Sequence, residues 1–506
     1  MAEPTQKIPE QAQTGIVYQN RRYVGARETN AYILFDVSKS FNINLYAERF
    51  IFDVLQIDFY YLAIVNFINT IWDVVNDTFT GVIVDKTRTR WGKFKPYLMG
   101  LAIPGTIGTC VFWLMPVFFP NKDGMDVTKF AVWLALALIR EGGETFRGVA
   151  TSGMLATITP HPVDRTRLIT KANFFSGFVE KLPEIVMGLM IDLINHNVIK
   201  LKLATAYISM GLITTITGGV LAFYFFFVTR ERVLQSVERP SIMEGFRSIL
   251  NNKPILLITL SDFLGAFSIN AGMNNYLIDV LGSASIKNVV GIPGGFVSNA
   301  SYAYVTWMRK KFSTKFLWIA GGNFSDFLMV GVFLLGSIGG IGKKGWYNQV
   351  KYMLPILMAH ETLAMSVYGI RKVIPSEMYN EAMDYCEWKN GFRTEGMTGT
   401  AKGLATKLVG TVSGTIKPII MKKIGYQQGQ LIGTQTDKTK YYLFAMTTII
   451  PVVTGLLSIV PKFFYDLGGE KREKMYEELL ERRAATQKVL SKGEDAEQPE
   501  LPSQEL

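Results

Sequence analysis

The chain has 506 residues, 48% of them hydrophobic and 12% aromatic, and carries a formal net charge of +11. The positive charge sits in short loops beside apolar runs of about 20 residues, each long enough to cross a hydrocarbon core about 30 Å thick, which excludes a nucleic-acid partner and a string of soluble domains. Cys110 lies inside an apolar run and Cys386 outside one, which excludes a disulfide framework, and the histidines (His161, His196, His360) are scattered without metal-ligand spacing.

The first 30 residues are polar and lack the apolar core of a cleavable signal peptide, so the first span is expected to direct insertion. Twelve spans are predicted, at 31–52, 58–85, 96–119, 127–157, 170–192, 203–228, 254–281, 288–307, 315–337, 350–370, 398–422 and 440–462. The basic loops 86–95 (KTRTRWGKFK), 164–167, 229–253 and 308–315 fall on one side if the N-terminus is inside, which places both termini in the cytoplasm; 421–440 is basic yet falls outside. The linker 229–253 divides the chain into an N-terminal six-helix half, 31–228, and a C-terminal six-helix half, 254–462, around a central cavity. In the charged tail, 463–506, the stretch EKREKMYEELLERRAATQKVL reads as a surface helix with i,i+4 charge pairs, and the last dozen residues read as disordered.

A charge at bilayer depth costs at least about 2.5 kcal/mol, so charged groups inside the spans face a cavity or a partner. The second span carries Asp73, Asn76 and Asp77 in WDVVNDTFTGVIVDKTRTRWGKFKP (72–96), on one helix face. Two carboxylates and an amide oxygen suit a small hard cation, and because like charges raise one carboxylate's pKa, a proton would substitute. The alternative is an ion pair with a Lys or Arg of a neighbouring helix, and spacing does not separate the two. The fourth span carries Arg140, Glu144 and Arg147 as one stripe, with Glu141 beside it; it reads as the wall of a polar cavity or as a self-neutral ion network. Further charged or amide groups are Asp36, Lys39, Lys171, Asn173, Glu180, Lys181, Glu184, Asp262, Lys402 and Lys407; Asn270, Asn274 and Asn275 read as cavity lining or as glue between helices.

No nucleophile–base or metal constellation and no phosphate-cradling Gly loop is present, so an enzyme and an ATP-driven pump lack support. A non-transporting sensor and a carrier of another polar or amphiphilic solute stay open as alternatives. No cofactor is expected beyond a coupling cation.

The stretch 72–96 closely resembles the second-span signature of the glycoside–pentoside–hexuronide:cation symporters of the major facilitator superfamily. DYCEWKNGFRTEGM (384–397) resembles that family's loop between spans ten and eleven, and ERPSIMEGFRSILNNKPILLI (238–258) its entry to span seven; the similarity covers most of the chain. The resemblance implies an all-α membrane fold of twelve helices and cation-coupled uptake of a sugar or glycoside by alternating access, in a bacterial inner membrane and as a monomer. It implies that Asp73, Asn76, Asp77 and Thr145 bind the cation (Na⁺, H⁺ or Li⁺), and that Lys407 lies near both sites. On the sugar side the sequence departs from the melibiose permease pattern. An acidic position after the first-span lysine, Lys39, is Ser40, and another in span four is Gly148, beside Arg147. Aromatic positions appear as Arg140, Glu144 and Ser152, and a span-five arginine as Asn173. Missing carboxylates beside extra cations point to an anionic solute such as a uronide, met by Lys39, Arg147 and Lys407. An inner gate is expected between loop 86–95 (Arg88, Arg90, Lys93) and loop 371–397 (Glu387, Glu395), unless the basic loop serves topology alone.

Overall fold

A computed structural model describes residues 24–87, 89–159, 162–179, 181–231, 251–267, 269–390, 395–479 and 481–482. Among them the regular structure is helical, apart from an isolated bridge between Thr89 and Gly92. Chains this apolar have little choice, because inside hydrocarbon a helix satisfies every backbone N–H and C=O within its own segment.

The main helices are α1 (Ala26–Ser40), α2 (Phe59–Lys86), α3 (Lys95–Phe118), α4 (Val127–Thr157), α5 (Pro162–Val179), α6 (Lys181–Asn195) and α7 (Leu203–Val228). There follow α8 (Lys253–Ala266), α9 (Met273–Asp279), α10 (Ile286–Ala300), α11 (Val305–Lys311), α12 (Thr314–Gly336), α13 (Val350–Ser366), α14 (Tyr368–Asn390), α15 (Glu395–Lys423), α16 (Asp437–Thr447), α17 (Ile449–Leu457) and α18 (Ile459–Phe463). Lys95–Phe118, Leu203–Val228, Thr314–Gly336, Val350–Lys389 and Asp437–Phe463 are each long and apolar enough to cross a membrane. Side-chain caps set several starts: Asp58 accepts from Tyr60 N, Asp126 from Thr128 N and Lys129 N, Asn252 from Ile255 N, and Ser313 from Phe316 N.

Several expected boundaries move for local reasons. The first span does not run on to residue 52: α1 stops at Ser40, where Asn42 Nδ2 donates to Lys39 O and Asn44 N donates to Asn42 Oδ1, turning the backbone aside. The chain continues through a short helical turn, Ala47–Phe50, and a π-helical turn, Ile51–Leu55, to a left-handed Gln56 at φ 54°. The seventh span breaks between α8 and α9 at Gly272, φ 92°. The expected loop 371–397 is helical as far as Asn390. Ile374, Met378, Ala382 and Cys386 repeat every four residues and are buried against a cluster that includes Ile255, Tyr465, Met475 and Leu479. The tail helix is therefore docked through Met475 and Leu479; its expected charge pairs, Lys474–Glu478 at 4.0 Å and Glu478–Arg482 at 3.7 Å, border that contact, where Glu478 accepts from Trp388 Nε1 at 2.7 Å and Arg482 Nη1 donates to Trp388 O at 2.8 Å. Residues 483–506 lie outside the described ones.

The apolar cores divide unevenly. One cluster joins Ile43, Tyr46 and Phe50 to Tyr276, Tyr347, Met421 and Phe444, so at that end of the bundle residues from both sides of the 229–253 linker share a core. At the other end, where residues 24 and 482 lie, Val24, Phe35, Val84, Leu98 and Phe225 form one core, and Ile255, Trp318, Ile370 and Tyr465 form another. Among the described residues the apolar core is shared at one end, the welded end, and divided into two clusters at the other, the parted end. The α2–α15 contact runs along the junction, and α4 packs on the flank of α2.

Candidate functional site

Asp73, Asn76 and Asp77 lie on α2 where it meets α4 and α15. The ammonium of Lys407, from α15, lies 2.7 Å from Asp73 Oδ2 and hydrogen-bonds Asp77 as well. For these two acids the structure shows the neighbouring-helix ion pair that spacing alone left open. Asn76 is buried; its Nδ2 points at Gly142 O, 3.5 Å away, and its Oδ1 faces the Thr80 hydroxyl at 3.5 Å. Thr145 donates its hydroxyl to Glu141 O at 3.3 Å. Asn76 and Thr145 thus tie α2 to α4 and α4 to itself, beside the acid pair.

Below the acids the polar face of α2 continues through Thr70, Asn69 and Asn66. These residues, with Asp73, Glu141 of α4 and Gly410 and Gly414 of α15, line a chamber of about 230 Å³. Asn66, Asn69 and Thr70 were not singled out from the sequence, although their i, i+3, i+4, i+7 register with Asp73 was legible.

The expected solute-binding residues are distributed over α1, α4 and α5. Lys39 pairs with Asp36 and lies over the Phe35 ring, 5.4 Å from its centroid; Asp36 also accepts from Ser176 Oγ at 2.7 Å, joining α1 to α5. Ser40 closes α1 and is half-buried. Arg147 pairs with Glu144, while Arg140 turns to the Phe112 ring at 5.4 Å. Gly148 and Asn173 are exposed, and the side chain of Ser152 lies outside the described residues. Lys39 and Arg147 each keep about a third of their side-chain surface accessible, 32% and 33%.

Asp262 lines a second cavity, of about 430 Å³, with Ser261, Trp318, Arg371, Ser458 and Lys462. The other polar groups of the seventh span serve the welded end. Asn274 Nδ2 donates to Leu45 O at 3.3 Å, Asn275 Nδ2 to Glu48 Oε1 at 3.2 Å, and Asn270 Oδ1 accepts from Gly272 N at 2.7 Å. There the buried Arg49 bonds Asp53, Asp279 and Tyr426; Lys417 bonds Glu48 at 2.7 Å and Lys422 bonds Asp58 at 2.8 Å; Asp192 caps the 283–285 turn through Ala284 N at 2.6 Å and Ser285 N at 2.9 Å. Sequence reading missed this lock because Arg49 sat at the end of an assumed span, Asp53 just beyond it and Asp279 inside another.

Of the expected inner gate, Arg90, Lys93 and Glu387 are among the described residues. Arg90 stacks on Trp91 and Lys93 on Phe94, and Arg88 and the side chain of Glu395 lie outside the described residues. Glu231 holds the loop, its carboxylate accepting from the backbone N–H of Lys93, Phe94 and Lys95, each at 2.8 Å.

A helical bundle with five helices, among the described residues, long and apolar enough to cross a membrane, and with charged side chains paired across its packed helices, has the build of a membrane transporter and not of an enzyme. The MFS/sugar transport protein family model matches residues 31–469, and the chain belongs to that family as a multi-pass membrane protein. It is 23% identical over 427 residues to the glucuronide carrier protein homolog of Escherichia coli K12, covering 83% of this chain and 87% of that protein. It is 22% identical over 464 residues to the putative sulfoquinovose importer of Salmonella typhimurium, covering 88% and 90%. Its fold is similar to that of a bacterial homolog of the human lysosomal transporter Spinster, in an inward-facing and occupied conformation, with a TM-score of 0.57 at 12% identity over 89% of this chain and 96% of that one.

Proposed function

We propose that this protein is a cation-coupled symporter of an acidic sugar or glycoside, working in a bacterial plasma membrane. The observation that carries the reading is the Asp73–Lys407–Asp77 bridge between α2 and α15, on the junction between the two sides of the molecule. A bridge there is a switch: a cation that neutralises the acids releases Lys407, and the released ammonium is free to meet an anionic group on the solute. Cation and solute then each improve the other's binding, a reciprocal coupling of typically about 1–3 kcal/mol. Lys39 and Arg147 supply further positive charge, and each would leave its present carboxylate partner, Asp36 or Glu144, to meet the solute. The names of two relatives support an acidic sugar, since a glucuronide bears a carboxylate and sulfoquinovose a sulfonate. With the basic loops in the cytoplasm, the welded end faces outward and the parted end inward, the arrangement of an inward-facing carrier.

Uptake by proteoliposomes under imposed Na⁺ or proton gradients tests the reading. Labelled glucuronides should accumulate, and neutral galactosides should not. Asp73→Cys should abolish the cation stimulation while the protein remains in the membrane. Preference for the neutral sugars would overturn the acidic solute, and undiminished cation stimulation in Asp73→Cys would overturn the coupling role.

A further inference from the structure

The cavity of about 430 Å³ between α8, α12, α14 and α18 shares no residue with the Asp73–Lys407–Asp77 bridge or with Lys39 and Arg147. Three observations give it a chemistry of its own. First, cations line it with their donors uncommitted. Lys462 of α18 is 4% exposed, and among the described residues its ammonium makes one hydrogen bond, to Asn323 Oδ1 at 2.6 Å, and no ion pair. The rest of its N–H groups are left for the cavity. Arg371 of α14 is half-buried; its guanidinium lies 5.4 Å from the Tyr368 ring centroid, and among the described residues its side-chain N–H groups meet no acceptor. A buried charge is costly unless it is paired and hydrogen-bonded.

Second, the acids nearby leave a surplus of positive charge. Asp326 reaches Lys462 only through an amide: Asn323 Nδ2 donates to Asp326 Oδ2 at 3.0 Å, while its Oδ1 accepts from the ammonium. Of the charged residues that line the cavity, Arg371 and Lys462 are cations and Asp262 is an acid. Ser261 Oγ gives its hydrogen to Ser458 O at 3.0 Å, so it offers the cavity an acceptor oxygen. Strong donors thus stand beside acceptors.

Third, there is room. Pockets for small molecules measure about 300–1,000 Å³, and this one falls within that range. Gly322 keeps it open, since a Cβ there would stand 2.8 Å from Lys462 Nζ and crowd the ammonium. Trp318, in its wall, belongs to the core at the parted end, which the reading above turns toward the cytoplasm.

We propose that this cavity binds a phosphate group, carried by inorganic phosphate or by a phosphate monoester. Arg371 and Lys462 clamp its charged oxygens, and Asp262 and Ser261 Oγ accept from its P–OH. A sulfate has the same shape but no such proton at neutral pH, so it would set a bare oxygen against the Asp262 carboxylate. Held this way, the phosphate cross-links α14 to α18. The site goes beyond the transport reading and uses none of its solute residues.

The test is equilibrium dialysis of the purified full-length protein against ³²P-labelled inorganic phosphate at about pH 6, where a phosphate monoester is about half protonated. Circular dichroism and gel filtration check the folding of each variant. Saturable binding is expected, and Arg371→Gln and Lys462→Met should each weaken it about tenfold or more. Arg371→Gln, at a half-buried position, decides the matter if Lys462→Met does not fold. Sulfate should compete poorly in the wild type and as well as phosphate in Asp262→Asn. Displacement by glycerol 3-phosphate marks a soluble ester, displacement by dioctanoyl phosphatidic acid a lipid headgroup, and either supports the site. Wild-type affinity in both Arg371→Gln and Lys462→Met would overturn it, as would sulfate competing in the wild type as well as phosphate does. Absence of saturable binding by all of these phosphate probes overturns it too. If a glucuronide displaces the phosphate as well as glycerol 3-phosphate does, the cavity is a stage of the solute path and the separate phosphate site falls.

Discussion

The guanidinium of Arg49, before α2, is held by the carboxylate of Asp279, at the end of α9, with Nη2 3.0 Å from Oδ1. Both residues are almost wholly removed from solvent, 1% and 2% exposed, and Tyr426 bonds both, at 2.8 Å each. Only the planar fork of an arginine satisfies Asp53, Asp279 and Tyr426 at once. The pair joins the two sides of the molecule at the welded end, so a carrier that opens there must break it.

Removing one partner of such a pair costs about 3–5 kcal/mol, because a buried charge is left uncompensated. Asp279→Asn should therefore shift the population toward the state open at this end by two or more powers of ten, at about 1.4 kcal/mol each. The readout is labelling of Ala284→Cys, at the same end, by an impermeant thiol reagent, with Cys110 and Cys386 replaced by Ser. Labelling should be slow in the parent and fast with Asp279→Asn. The apolar double variant Arg49→Met/Asp279→Leu should recover much of the protection, since no charge is then stranded. Equal labelling in all three would show that the pair is no latch.

Lys407 makes a second, separate prediction. In Lys407→Ala the acids lose their tethered cation, so Na⁺ should bind about tenfold tighter, equivalent to roughly 1.4 kcal/mol. Concentrative uptake should nevertheless fall, because the released ammonium is the proposed link to the solute. Equilibrium Na⁺ binding and gradient-driven uptake, measured on the same preparation, check both halves. Weaker Na⁺ binding in the variant would mean that Lys407 supports the cation site instead of competing for it.

What the sequence made legible follows the strength of the local signal. Long apolar runs and the polar stripe of α2 were read directly, because hydrocarbon length and helical period are properties of a few consecutive residues. The partner of that stripe was not: Lys407 lies more than 300 positions away, and nothing near Asp73 says which helix faces it. Arg49 and Asp279 were missed for the same reason. The docking of the tail was hidden differently. Charged residues dominate 470–490, and the burial of Met475 and Leu479 depends on a matching stripe, Ile374 to Cys386, in a segment read as a loop. Interruptions at Asn42 and Gly272 came from one or two residues whose side chain or backbone freedom redirects the chain, and a window of 20 averages them away.

Asp466 connects the tail to α8 and carries a pH dependence of known sign. Partial burial pushes its carboxyl pKa upward, but hydrogen bonds from Lys253 at 2.9 Å and Lys471 at 3.1 Å outweigh that and hold it below the usual aspartate value. A carboxyl with a depressed folded-state pKa contributes stability that is present above its unfolded pKa, about 3.9, and lost as pH falls through the folded value. Hydrogen exchange at residues 467–475, corrected for intrinsic rate, should thus be constant from about pH 8 to pH 5 and rise only below about pH 4. Asp466→Asn should show faster exchange with no such step. A step between pH 5 and 7 in the wild type would assign the docking to another group.

Glu231 is the remaining test, and its geometry makes the outcome specific. Its carboxylate fills the N-terminus of α3, accepting three backbone N–H groups that the helix cannot satisfy itself, where the helix dipole also favours negative charge. Gly92 makes the approach possible: its φ is 114°, and a Cβ there would fall 2.4 Å from Glu231 Cδ. Lys95 Nζ donates to Thr229 O, so the chain leaving α7 is pinned beside the start of α3. Glu231→Ala strands the three donors and should cost about 1–3 kcal/mol, with Glu231→Gln intermediate because one amide oxygen still accepts. Exchange of the 93–95 amides should accelerate by about one to two powers of ten in Glu231→Ala, and Gly92→Ala should act the same way by displacing the carboxylate. Because loop 86–95 lies at the parted end, transport should slow in both variants while Na⁺ binding at Asp73 is retained. Unchanged protection of those amides would show that the loop is held by its stacked pairs, Arg90 on Trp91 and Lys93 on Phe94, and not by the carboxylate.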